Sequence, residues 1–154
     1  MDEFEQEEAG RAVAPGLTIV TLRLVAILSL VWSGFGVFDY LMTNTRDHHY
    51  LSGMDAAAIQ YLDTLPYDII AGWTISVGGA VLGSLLLLMR SRFAQHMFGL
   101  SLIGLAYAYF RQSGLEIPEG KVIFGTPAGA AIGWIVPIIL LMFSVRCGMR
   151  GLLR

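Results

Sequence analysis

Residues Ile69 to Met89 run 21 positions without a charge, and Val122 to Val145 run 24. A helix rises 1.5 Å per residue, so about 20 such residues cross a hydrocarbon core of ~30 Å. Leu17 to Met42 is as long, 26 residues with only Arg23 and Asp39 charged. Phe93 to Gln112 adds a fourth stretch. The pattern predicts an all-α membrane protein, a four-helix transmembrane bundle with helices over 17–42, 67–89, 93–112 and 122–147. Hydrophobic residues at 55% and charged residues at 14% agree, because a soluble chain of 154 residues has no core large enough to hide that much apolar surface.

The ends and connections read as follows. Residues 1–16 hold five acids (Asp2, Glu3, Glu5, Glu7, Glu8) before one base, Arg11. A signal peptide would begin basic, so the expectation is a disordered acidic tail and an uncleaved first helix. Pro15-Gly16 breaks structure between them. Residues 43–53 are a polar connection. Ser52 to Asp55 fits a capping box, and Met54, Ala58, Tyr61/Leu62 and Leu65 then recur at helical spacing. That predicts a short amphipathic helix on the membrane surface between helices one and two. The second and third long stretches are separated only by Arg90-Ser91-Arg92, so they form an antiparallel hairpin. Residues 113–121 form a second outer loop, and 149–154 a basic tail.

Lysine and arginine set the orientation. With four spans, Arg11, Arg23, Arg90, Arg92, Arg146, Arg150 and Arg154 share one side, and Arg46, Arg111 and Lys121 the other. Positive residues stay in the cytoplasm, which places both termini there.

Small residues point to packing. Gly79 and Gly83 on the second helix, and Gly125, Gly129 and Gly133 on the fourth, have the four-residue spacing that lets helix backbones meet in lipid. Pro137 predicts a kink in the fourth helix. On the first, Trp32, Phe35, Gly36 and Asp39 share a side, which favours an inward-facing Asp39.

Chemistry-bearing residues are few. Asp39 is an acid within a span, a group that is either a proton or cation site or one half of a buried pair. Arg111 ends the third helix at the same level, so an Asp39–Arg111 pair is the specific expectation. Asp47-His48-His49-Tyr50 could hold a metal with a loop carboxylate, but adjacent histidines diverge, and a solvated loop is the simpler reading. His96 has no second histidine at its depth to share a haem. The single cysteine, Cys147, allows no internal disulfide, and no pairing of base with nucleophile suggests an enzyme. A net charge of -2 gives no field for nucleic acid. No cofactor is expected. The expected partners are the bilayer and, through glycine faces, another membrane protein or a second copy.

The segments VWSGFGVFDYLMTNT (31–45), YLDTLPYDIIAGW (61–73) and GGAVLGSLLLLMRSRFA (78–94) resemble a family of small four-helix bacterial inner-membrane proteins, many of which carry the label "sugar transporter". The resemblance covers residues 25–145 and rests on packing motifs, so it implies a fold and no catalytic residues. Two functions follow as alternatives. One is a non-enzymatic packing or accessory subunit. The other is a small transporter, sugar-transporter-like or proton-coupled, with Asp39 as coupling acid.

Overall fold

The computed structural model describes residues 18–115 and 127–154. Among them are six helices and no strand: α1 (Ile19–Asn44), α2 (His48–Leu51), α3 (Ala56–Asp63), α4 (Tyr67–Leu88), α5 (Phe93–Gln112) and α6 (Pro127–Met149). Three helices contain a span long and apolar enough to cross a membrane: Ile19–Asn44, Tyr67–Leu88 and Ala131–Met149. The acidic segment 1–16, the outer loop from 116 and the stretch 122–126, with Gly125, lie outside the described residues.

α1 packs mainly on α4, α4 most extensively on α5, and α5 on α6. α1 begins at Thr18, whose Oγ1 accepts the Thr21 N–H at 3.2 Å. Its buried stripe is Leu22, Ala26, Ser29 and Ser33, spaced four, three and four apart. This corrects the expected face. Trp32 and Phe35 are exposed, and a Cβ on Gly36 would meet nothing within 4 Å. The small residues that admit α4 are the serines, with Ser33 Oγ 3.4 Å from Ser84 Oγ.

α4 and α5 touch backbone to backbone. A Cβ on Gly79 would lie 3.0 Å from the Met97 carbonyl oxygen, and one on Gly83 2.8 Å from the Phe98 ring. A Cβ on Gly104 would sit 2.8 Å from both Gly72 O and Ser76 N. Ser101 Oγ donates to Ser76 O at 2.6 Å across the same seam. Glycine costs about 1 kcal/mol of helix propensity per position. Here that cost is offset by the close approach, which supplies dispersion contacts where no water is available to drive association. On α6, Gly133 is half-buried, as are Gly129 and Pro137. The Trp134 ring stands edge-on to Tyr109 of α5 at 5.7 Å.

Three helices end in the same chain reversal. After α1, Asp47 N–H reaches Met42 O at 3.1 Å and Arg46 N–H reaches Thr43 O at 3.4 Å. After α4, Ser91 N–H reaches Leu86 O at 2.8 Å and Arg90 N–H reaches Leu87 O at 3.0 Å. After α6, Leu152 N–H reaches Cys147 O at 3.0 Å and Gly151 N–H reaches Gly148 O at 3.1 Å. The reversal needs a left-handed residue at its corner, supplied by Arg46 (φ 57), Arg90 (φ 62) and Gly151 (φ 69). A non-glycine there costs about 1 kcal/mol. Both arginines hold other segments: Arg46 donates to Leu62 O at 2.7 Å, and Arg90 Nε to Leu152 O at 3.0 Å.

The last residues are not a loose basic tail. Gly151 turns the chain back, and Arg154 pairs with the α4–α5 turn through main-chain bonds: Arg154 N–H to Arg90 O at 2.6 Å, and Arg92 N–H to Arg154 O at 2.9 Å. Leu153 is 1% exposed and lies in a cluster with Leu22, Leu87, Phe98, Leu140 and Cys147.

A second cluster closes the opposite end. Leu51, Tyr61, Leu62 and Leu65 pack with Ile69 and Ala108. The apolar side of α3 is therefore covered by the chain itself. The capping-box expectation changes. An additional turn, α2, precedes Ser52, so Ser52 closes α2 and Asp55 starts α3 without a side-chain cap.

Candidate functional site

The described carboxylates, Asp39, Asp47, Asp55, Asp63 and Asp68, all lie at the end of the molecule where α1 finishes, α4 begins and α5 finishes. Arg90, Arg92, Arg146, Arg150 and Arg154 lie at the other end. At the acidic end two arginines are engaged. Arg46 pairs with Asp63 at 2.8 Å, and Arg111 Nε with Asp68 Oδ2 at 2.7 Å. Both pairs are partly exposed, so solvent screens them and they add little to stability.

Arg111 thus pairs with Asp68, and the expected Asp39–Arg111 pair is not formed. The cause is helix order. Asp39 and Arg111 lie at the same level, but α1 packs on α4, so the carboxylate facing Arg111 across the seam comes from α4. Tyr107, one turn before Arg111, completes the group by donating its hydroxyl to the same Oδ2 at 3.0 Å.

Asp39 has a different partner. It is half-buried, and its Oδ1 accepts the hydroxyl of Tyr50. The position of Tyr50 follows from Asp47. The Asp47 side chain accepts the Tyr50 backbone N–H at 2.8 Å and so starts the single-turn α2, which folds back over the end of α1. The Tyr50 ring also packs edge-on against Phe38 at 5.8 Å. His48 and His49 point to the exposed side of the same turn. Among the described residues no group of three His, Cys, Asp or Glu could hold a metal ion. In Asp47-His48-His49-Tyr50, then, Asp47 is a cap and Tyr50 is the residue that reaches Asp39.

Burial of the ring, the hydrogen bond to Asp39 and the Asp39 charge together push the Tyr50 phenol up to about 12. Tyr61 is raised by burial alone. A raised phenol favours the protonated folded state. Its contribution to stability is therefore complete below pH 10 and disappears as pH climbs toward 12. In an ultraviolet titration, Tyr50 should ionise later than a free phenol. Asp39→Asn should bring that late phase down part of the way, since burial remains. A titration unchanged by Asp39→Asn would show that the phenol does not feel Asp39.

Between the two ends the polar atoms are few and satisfied. Among the described residues no buried side-chain nitrogen or oxygen lacks a partner. Ser29 donates to Ala26 O, Ser84 to Ala80 O and Ser144 to Leu141 O, so these hydroxyls serve their own helices. At the acidic end the Tyr40 and Thr74 hydroxyls lie 2.6 Å apart and tie α1 to α4.

Comparison with protein-family models, with curated proteins and with solved structures gives no match to this chain.

Proposed function

We propose that the chain is a four-helix integral membrane protein that works by packing rather than by catalysis, as an accessory subunit of a membrane complex or as its own partner. The observation that carries this reading is the α4–α5 seam, where Gly104 leaves no room for a methyl group between two backbones. Such a seam favours a solid hairpin over a water-filled path. It also supports α5 as the fourth span. α5 is 20 residues long and lies against α4 from Phe98–Gly83 to Ala108–Gly72, so the two share a depth. With four spans, the arginine-rich end faces the cytoplasm together with both termini. A bacterial inner membrane and the small four-helix family that the sequence resembles fit this reading, and the protein needs no cofactor and no nucleic acid.

One observation favours the second reading, a small transporter with Asp39 as coupling acid: Asp39 is half-buried under a single phenol on a short turn that could lift. Isolation of the tagged protein in mild detergent, with native gels and mass spectrometry, separates the two. A second membrane protein in fixed stoichiometry is the expected result. A solitary or self-associated chain whose flux of protons or sugars is abolished by Asp39→Asn would overturn it.

A further inference from the structure

An open apolar groove of about 330 Å³ runs along one side of the α4–α5 seam. Its walls are Ala71 and Ile75 of α4 and Leu100 and Ile103 of α5; Gly72 and Gly104 form part of its lining. The glycines create it, because where two backbones nearly touch, the side chains flanking the contact stand up as lips. At its outer end the groove stops at Asp68 and Tyr107. Beside them is Arg111, held to Asp68.

We infer that this groove seats one acyl chain of a bilayer phospholipid whose headgroup carries a primary amine. Length is the first argument. From Tyr107 to Leu100, and from Asp68 to Ile75, is seven residues, about 10 Å, or roughly a third of a ~30 Å hydrocarbon core. The groove therefore receives the headgroup-proximal part of one acyl chain within a single leaflet, with its polar end at headgroup level. Charge is the second. Tyr107 and Arg111 both donate to Asp68 Oδ2, and neither reaches Oδ1. The Asp68 and Arg111 side chains remain 34% and 48% exposed. The rim thus presents a carboxylate and a guanidinium side by side. A headgroup with an ammonium and a phosphate matches that pair in sign. A purely anionic headgroup would meet the carboxylate unfavourably. A primary ammonium can donate hydrogen bonds to Asp68, and a quaternary one cannot. Tyr107 steadies the carboxylate through the same oxygen that Arg111 holds.

This inference rests on the membrane-spanning reading, and the experiment separates the two. The protein is placed in nanodiscs containing equal amounts of phosphatidylethanolamine and phosphatidylglycerol. Lipid retained after release from the disc is counted by native mass spectrometry, and vesicle flotation after alkaline washing checks insertion. The expected result is phosphatidylethanolamine over phosphatidylglycerol by about fivefold, the ratio that one exposed ion pair supplies. Asp68→Asn should abolish the preference, and Asp55→Asn, outside the groove, should keep it. Ile103→Trp, at an exposed lip, should lower total retained lipid while helicity stays unchanged. Equal retention of both lipids by the unaltered protein, or a preference that survives Asp68→Asn, overturns the inference and leaves the spanning reading intact. Protein washed off the vesicles overturns both.

Discussion

Gly104→Val will pull the α4–α5 hairpin apart at a cost of about 3 kcal/mol, the upper end of what overpacking does without rearrangement. The first added carbon already lies 2.8 Å from Gly72 O and Ser76 N, and both are backbone atoms inside a helix. They cannot step aside as a side chain can. Gly83 is the milder case, since its close neighbour is the Phe98 ring. Gly99→Ala is the control: a Cβ there meets nothing within 4 Å, so it should gain up to about 1 kcal/mol of helix propensity. Equilibrium unfolding in mixed detergent, followed by circular dichroism, ranks the three. If Gly104→Val unfolds at the same denaturant level as Gly99→Ala, the tight seam is not what holds the hairpin.

Leu153→Ala will release the C-terminal turn from the arginine-rich end at a cost of about 2–3 kcal/mol, within the range for emptying a buried leucine site. Leu153 is the one fully buried side chain of the returning segment, and the main-chain bonds of Arg154 depend on its seat. Cys147 reports the event. Its thiol is buried in the same cluster, and it is the only cysteine in the sequence. Maleimide labelling of Cys147 should accelerate at least tenfold, since each ~1.4 kcal/mol shifts an opening equilibrium by that factor. Unchanged labelling would mean that the returning segment does not shield the thiol.

The bounds of α4 and α5 were legible in the sequence because these apolar runs end at strong local signals. Pro66 precedes α4, and Arg90 to Arg92 separates α4 from α5. The buried positions of α3 followed from helical spacing for the same reason. Neighbour relations were not legible. Depth along a helix placed Asp39 and Arg111 at one level, but depth does not say which helices touch, and Asp68 holds the place beside Arg111. The choice of Gly36 as the contact on α1 failed in a related way. Two faces of α1 carry small residues, and only packing selects Ala26, Ser29 and Ser33 over Gly34 and Gly36. Two features had signals that could have been read. Gly151 followed by two leucines marks a helix stop whose next residues return to the core. Asp47 three residues before Tyr50 is an N-cap spacing, and it brings the phenol within reach of Asp39.

The three chain reversals also decide how this protein can meet membranes of different thickness. A helix whose last turn is stitched by its own backbone cannot lengthen or fray to follow a moving interface. At 26 residues α1 is about 39 Å long, whereas α4 at 22 residues is about 33 Å. α4 therefore matches an ordinary hydrocarbon layer nearly upright, and α1 must lean or protrude. Thinning the bilayer should change the angle between α1 and α4 rather than the length of either. The serine-lined α1–α4 contact is the joint that would absorb that rotation.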